Sequence, residues 1–229
     1  MKKRNAQSLI FLPGVLIMLF VTSCAPAYVP NVINTPLFSN KGEFQASVNT
    51  GFAGFDPQLS YAITDHIGVI MNGSFANRTS DSTDDFHKHL FFEIGSGYYK
   101  KIGTSGRFEA FGGAGFGKLK AEYENELWMT RSDVNSMRFF IQPAIGASTD
   151  IFDGSFAARF IVLNLNQESK SSTGLFIEPA ITAKVGYKYA KAVFQFGLSL
   201  PLNSDYLEFN HQLVMFSVGL QATLGRKYE

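Results

Sequence analysis

The stretch LFIEPAITAKVGYKY, residues 175–189, decides the fold. Its odd-numbered positions, from Leu175 to Tyr189, are all apolar or aromatic, whereas its even-numbered positions include Glu178, Lys184 and Lys188. Successive side chains of a β-strand point to opposite faces, so this period of two predicts a strand with one apolar face and one polar face.

The same alternation recurs along the rest of the chain. It marks nine further segments, near 43–50, 57–64, 67–76, 88–99, 107–121, 137–149, 155–166, 192–202 and 209–224. Most are about ten residues long, and a membrane-crossing strand needs ~9–11 residues whereas strands of soluble proteins most often have ~5 or 6. We therefore expect an all-β fold, an antiparallel up-and-down transmembrane β-barrel of about ten strands. The weak pattern of 43–50 leaves eight strands as the alternative.

Short and long connections alternate between these segments. Tight turns are expected at Asp65-His66, Gly103 to Gly106, Ile151 to Gly154 and Ala190-Lys191, and longer connections near 77–87, 122–136, 167–174 and 203–208. The connection from Gly51 to Phe55 is the short exception. Outer-membrane barrels have short periplasmic turns and longer outer loops, so this pattern predicts a barrel with both termini at the periplasmic end.

Charged residues inside the segments identify the inner face. Six lie opposite the most apolar residues of their own segments: Glu93, Glu109, Arg138, Arg159, Glu178 and Lys184. A basic residue on the lipid face near the midplane costs ~2–4 kcal/mol, so these side chains are expected to form a charge network in the lumen. Three acids and three bases can neutralise one another, which predicts an interior plugged by side-chain pairs. A selectivity filter is the alternative.

The composition excludes several classes of protein. Of the 229 residues, 45% are hydrophobic and 17% charged, and the net charge is +1, which excludes a disordered tail and a nucleic-acid binder. A single cysteine excludes a disulfide scaffold and a cysteine metal cluster. Without Lys2, Lys3 and Arg4 the chain has 20 − 3 = 17 basic and 19 acidic residues, a net charge of −2.

The first 24 residues have the composition of a targeting signal. A basic start is followed by the apolar run 9–21, which is too short for a membrane-spanning helix of ~20 residues. The run closes with Val21-Thr22-Ser23-Cys24, which resembles the lipobox of a bacterial lipoprotein precursor. The resemblance implies cleavage of residues 1–23 and acylation of Cys24, with palmitate as one of its acyl groups. Residues 24–41, which contain three prolines, are expected to form the lipidated cysteine and an extended tether.

The remaining chain, residues 42–229, is expected to be a single β-barrel domain. With the lipobox, the alternation and the loop asymmetry together, it resembles the small outer-membrane β-barrel proteins of Gram-negative bacteria in a lipid-anchored form. This resemblance implies a location in the cell outer membrane. One internal echo, FIQPAI at 140–145 and FIEPAI at 176–181, predicts two hairpins of the same register, each with an outward proline at a bulge.

Few residues suggest chemistry. The glycine run Gly112, Gly113, Gly115 and Gly117 lies inside a strand and opens no helix, so it is expected to relieve crowding in the lumen and not to bind a nucleotide. A second group clusters near the outer loops: Asp81, Asp84, Asp85, His87 and His89. We expect solvated loop residues there, no cofactor and no metal, because metal-ligand spacing is lacking. His66 and His211 have no evident partner in the sequence.

The sequence therefore predicts a non-catalytic, lipid-anchored outer-membrane barrel with a structural or interaction role in the cell envelope. Its expected partners are outer-membrane lipid and other envelope proteins, and no nucleic acid. Three alternatives stay open: a narrow channel for small solutes, a surface hydrolase of lipid or peptide that uses His87 with Asp84 or Asp85, and a soluble lipid-carrying barrel tethered by Cys24.

Overall fold

The computed structural model describes residues 26–79, 86–122, 132–167, 170–204, 207, 209 and 211–228. These residues form eleven strands: β1 Phe44–Gly51, β2 Phe55–Ala62, β3 Ile67–Thr79, β4 Phe86–Ile102, β5 Gly106–Glu122, β6 Ser132–Ser148, β7 Phe152–Gln167, β8 Lys170–Tyr187, β9 Ala190–Leu198, β10 Leu200–Pro201 and β11 Val214–Leu224. Within the described residues, no helix is long and apolar enough to cross a membrane.

The strands close into a ring. Consecutive strands from β1 to β8 pair with each other antiparallel, β8 pairs with β9 and β10, β9 pairs with β11, and β11 pairs with β1. Strands β9 and β10 share one register against β8 and are separated only at Ser199, so they form a single wall of the barrel. The expected antiparallel barrel of ten strands, not eight, is confirmed.

The two ends of the barrel differ in their connections. We call the end with residues 63–66, 103–105, 149–151 and 188–189 the turn end, and the opposite end, with residues 52–54, 80–85, 123–131, 168–169 and 202–213, the loop end. The expected long connection at 167–174 is wrong, because β7 and β8 continue pairing as far as Gln167 and Lys170. Only two residues join these strands.

Strands β4 to β8 are 16–18 residues long, well beyond the ten expected. Their outward side chains divide them into two zones. Apolar and aromatic residues form a belt over 90–98, 108–116, 137–145, 152–162 and 175–187. Toward the loop end the outward residues become polar: Lys88, Lys118, Lys120, Asn135, Asn164, Asn166, Ser171 and Thr173. The alternating pattern of the sequence predicts the residues of the belt. The polar zone accounts for the additional length of the strands.

The echoed prolines interrupt the ladder without a bulge. Pro143 and Pro179 both lie on the outward face, on either side of Ala158 of β7. The pairs Ile141↔Phe160 and Ala144↔Ala157 that flank Pro143 keep one register, as do Ala180↔Gly197 and Leu200↔Ile177 around Pro179. The missing proline N–H removes a ladder bond, but no extra residue is inserted. The expected bulges are therefore wrong.

The segment before β1 is extended, as predicted for a tether, but it lies inside the barrel. Its residues are buried almost completely: Tyr28, Asn31, Val32, Ile33, Asn34, Thr35, Leu37 and Phe38 are each at most 5% exposed. The physical reason is that the inward face of the strands is polar enough to bind the backbone of this segment. Residues 26–39 are hereafter called the lumen segment.

Aromatic residues at the strand ends do not all face outward. Tyr98 and Tyr187 are exposed, whereas Tyr99 and Phe209 are buried inside the barrel. Tyr99 belongs to the inward register of β4, and its hydroxyl donates to the carbonyl of Thr64 at 2.7 Å. Inner apolar side chains of this kind close the barrel around the ends of the lumen segment.

Candidate functional site

The inward face carries a balanced set of charges. Among the described residues, twelve charged side chains are buried: Glu43, Asp56, Glu93, Glu109, Asp153 and Glu178, and Arg107, Arg138, Arg159, Lys184, Lys191 and Arg226. Burial of one charge costs several kcal/mol unless a partner and further hydrogen bonds compensate it. Six acids against six bases make that compensation feasible.

A central network spans β4, β6, β7 and β8. Arg159 donates to Glu178 Oε2 through Nη2 at 2.6 Å and lies 3.5 Å from Glu93 Oε1 through Nη1. Arg138 pairs with the other oxygen of Glu93, and its guanidinium lies 4.2 Å from the centre of the Phe91 ring. The two arginines and two carboxylates therefore form one connected group across the lumen.

The lumen segment completes this network. The Tyr28 hydroxyl donates to Glu178 Oε1 at 2.7 Å, and Asn31 accepts from Arg138 Nη2 at 2.7 Å through Oδ1. The carbonyl of Asn31 accepts from Arg159 Nη2 at 3.0 Å. Charged groups of the wall and polar groups of the segment thus bind each other away from water.

Seven consecutive carbonyls of the lumen segment, from residue 31 to residue 37, accept hydrogen bonds from side chains of the barrel. The donors are Arg159, Gln58, Gln195, Gln142, Lys184, Gln45 and Arg226, at 2.7–3.2 Å. Gln195 also accepts from the N–H of Ile33 at 2.8 Å. A backbone inside a barrel must find partners for these groups, and here the wall supplies them.

The last two predicted lumen charges bind the segment and not each other. Glu109 Oε2 accepts from the N–H of Leu37 at 2.8 Å, and Lys184 Nζ donates to the carbonyl of Thr35 at 2.7 Å. The six predicted charges are therefore all buried in the barrel. The sequence predicted that these six charges pair with one another. Glu109 and Lys184 instead bind the backbone of the lumen segment.

A second network lies at the turn end. Arg226 binds Glu43 at 2.8 Å and Asp153 at 3.3 Å, and Asp153 also binds Lys191 at 2.8 Å. Burial alone would lower the pKa of Arg226, but the carboxylates of Glu43 and Asp153 outweigh burial and raise it. Arg226 therefore stays charged and ties the chain after β11 to the segment before β1.

The turn-end network is not predicted from the sequence, for an identifiable reason. Asp153 and Lys191 lie in the inward register of their strands, although the sequence predicts both in tight turns. Glu43 and Arg226 lie just outside the strands, so alternation gives no signal for them. Cys24, the predicted lipidation site, lies outside the described residues.

Aromatic side chains hold the lumen segment at both ends. Phe38 lies 5.2 Å from Tyr99 and 6.4 Å from Phe111, between ring centres, and Tyr28 lies 4.8 Å from Phe176. Gly68 leaves room for Phe38, because a Cβ atom there would lie 2.5 Å from the Phe38 ring. The segment is therefore packed as well as hydrogen-bonded.

Small cavities remain between the segment and the wall. One of about 40 Å³ at the loop end is lined by Tyr28, His89 and Leu163, and one of about 10 Å³ is lined by Pro30, Gln195 and others. Volumes of this kind hold one or a few water molecules, since a single water needs ~10–15 Å³. Neither accommodates a substrate.

The predicted outer cluster is only partly described. Asp81, Asp84 and Asp85 lie outside the described residues, and for His87 only the backbone in β4 is described. His89 points into the barrel, where its Nε2 lies 2.9 Å from Ser74 Oγ. Ser74 is 1% exposed, so this pair faces the filled lumen and not the surface.

The other two histidines contact aromatic rings. His66 stacks on Tyr98 at 5.7 Å, and His211 lies 5.4 Å from Phe176. Partial burial lowers the pKa of His211, an effect opposed by the negative charge of Glu178. In the described part of the chain, no group of three or more His, Cys, Asp or Glu residues could hold a metal ion.

The glycine run behaves in two ways. Inward Gly113 and Gly115 make room for Phe140 and Phe91, because a Cβ atom at these positions would lie 2.8 and 2.6 Å from the respective rings. Outward Gly112 has no such neighbour, and its nearest atom would be 3.6 Å away. Relief of crowding, as predicted, applies to the inward members.

No protein-family model matches this chain, and no curated protein matches it either.

Proposed function

We propose that this protein is a lipid-anchored outer-membrane β-barrel without catalytic activity, with a structural or interaction role in the cell envelope. The observation that carries the proposal is the outward belt. Its apolar stretches are about 9–13 residues long, and a tilted strand needs ~9–11 residues to cross the bilayer.

The zonation of the outward face supports a membrane location. Exposed aromatic and aliphatic side chains surround the barrel, among them Phe116, Ile141, Phe156, Ile181, Phe196 and Leu220, which are 49–66% exposed. Soluble monomers rarely expose apolar patches larger than a few hundred Å², and a belt around every strand far exceeds that. The polar zone at the loop end would then project beyond the bilayer.

The contents of the lumen favour a sealed barrel and argue against a channel. The segment occupies the axis, and the side chains proposed as a channel lining, including Arg159 and Lys184, bind that segment instead. A soluble lipid carrier would need an apolar lumen, whereas this one buries twelve charges. The polar zone of β4 to β8 remains as a surface for contacts with other envelope proteins.

The proposal is tested on the whole protein in its own membranes. We expect it to fractionate with the outer membrane, to migrate faster unheated than heated in detergent gels, and to incorporate labelled palmitate in a manner abolished by Cys24→Ser. We also expect the purified protein to conduct no ions in planar bilayers. A detergent-free, monodisperse solution of the unacylated mature chain would exclude the membrane location, and steady conductance would favour the channel.

A further inference from the structure

The lumen segment runs from one end of the barrel to the other. At the loop end, the backbone of Tyr28 pairs with His211, and its carbonyl accepts from the N–H of Gln212 at 2.9 Å. At the turn end, the N–H of Lys41 donates to Asp65 Oδ1 at 3.0 Å and the N–H of Gly42 donates to the carbonyl of Ala62 at 2.8 Å.

Contacts between these ends follow the same direction. Along β8, Tyr28 binds Glu178 and Thr35 binds Lys184, which lies nearer the turn end. Along β7, Asn31 binds Arg159, and the hydroxyl of Thr35 lies 2.9 Å from that of Ser155. The segment therefore descends the lumen without folding back.

This path places the first and the last described residues of the chain at opposite ends of the barrel. The C-terminal residues stay at the turn end, where Lys227 N–H donates to Asn40 Oδ1 at 2.8 Å. The described residues thus do not start and finish at one end as expected for the termini, because an even strand count orients the strands but not a segment that passes back through the lumen.

We propose that the mature N-terminus lies at the loop end and that the lipid on Cys24 enters the membrane leaflet on that side. The lipid and the membrane in this statement rest on the proposed function. Cys24 precedes Pro26 by two residues, a reach of ~7 Å, whereas the apolar band of such barrels is ~25 Å tall. The acyl chains therefore cannot return to the turn-side leaflet. With the loops outside the cell, the protein is anchored from the outer leaflet.

The first test addresses the path and needs no lipid or membrane assumption. In the full-length variant Thr35→Cys/Ser155→Cys, oxidation of folded protein is expected to cross-link most molecules, seen as a shifted band after heat unfolding without reductant. The matched control Thr35→Cys/Ser96→Cys places the second cysteine on the outward face and is expected to stay at background. Equal, background-level cross-linking of both pairs overturns the proposal.

The second test addresses the side of the membrane. Single cysteines replace Pro26, Lys41 and Asn135 in the lipidated protein, whose only native cysteine is Cys24. A membrane-impermeant maleimide on intact cells is expected to label P26C and the loop-end reference N135C. Labelling of K41C, only fifteen residues after Pro26, is expected to require permeabilised cells.

The results of these two tests distinguish a failure of this proposal from a failure of the proposed function. If P26C stays unlabelled in intact cells while N135C is labelled, the N-terminus is not at the loop end. If palmitate is absent but the cross-link and labelling patterns hold, the anchor in the proposed function fails and the threaded path stands.

Discussion

Arg159 shows how much of the interior depends on single side chains. It is fully buried and contacts Glu178, Glu93 and the carbonyl of Asn31. Its five donors suit this role, since a guanidinium can bind several acceptors in one plane. Without it, Glu178 would lose its ion-pair partner, Glu93 would keep only Arg138, and the carbonyl of Asn31 would lose its donor.

Arg159→Leu is expected to destabilise the barrel by ~3–5 kcal/mol, because removal of one member of a buried ion pair leaves Glu178 charged without an ion-pair partner. The measurement is denaturant unfolding in detergent, followed by heat-modifiable gel mobility. Lys188→Leu is the control, since that lysine forms an exposed pair with Asp150 at 3.6 Å and is expected to change stability little. Equal stability of the two variants would contradict a structural role for the central network.

Because of His211 at the loop end, we expect the folding stability of the protein to depend on pH. Its pKa is lowered by partial burial, so the folded state favours the neutral imidazole. As the pH falls through ~6.5, the ordinary value for histidine, the unfolded chain binds the proton first and folding stability decreases. The stability lost on going from pH 8 to pH 5 should therefore be larger in the wild type than in His211→Phe. A pH-independent difference between their unfolding midpoints would count against this assignment.

At the scale of the element, β5 contains two neighbouring glycines whose surroundings differ. Adjacent Gly112 and Gly113 share one strand, but only Gly113 faces the crowded lumen, where a Cβ atom would lie 2.2 Å from the carbonyl oxygen of Ile94. The alternation of the strand thus assigns two neighbouring glycines to different environments.

Gly113→Ala is expected to cost ~1–3 kcal/mol through overpacking. Gly112→Ala is expected to be neutral or to stabilise by ~0.4–1 kcal/mol, because it restricts the unfolded chain without a clash. Unfolding midpoints of the two variants, measured side by side, provide the comparison. If both variants behave alike, the close packing around Gly113 is not a constraint.

At the scale of the whole molecule, the barrel and the lumen segment depend on each other. Side chains from every strand between β1 and β9 bind the segment, for example Gln45, Asn72, Glu109 and Gln195. Some of these bonds go to its backbone and others to its side chains, such as Tyr28 and Asn31, so the wall recognises both an extended chain and particular residues. The segment in turn supplies polar partners that keep water out of the lumen.

Deletion of residues 28–39 is expected to open the barrel to ions. The polar side chains that bound the segment would be hydrated, and the variant should conduct in planar bilayers where the wild type does not. A synthetic peptide of residues 28–39 is expected to reduce that conductance. A deletion variant that remains heat-modifiable and conducts nothing would indicate that side-chain pairs alone seal the lumen.

The amino-acid sequence determined the strands and their two faces and left their number between eight and ten, because strands and faces depend on local alternation and on the cost of exposing charge such as Arg138 or Glu178 on an apolar face. Only the tertiary structure decided where residues 26–39 lie. The backbone carbonyls of this segment are the same in any sequence and so cannot be used to predict its position. The side chains that donate to them, such as Gln58 and Arg226, come together only after the ring closes. The prolines of this stretch predicted an extended tether, and the geometry of the closed lumen makes that segment the core of the barrel.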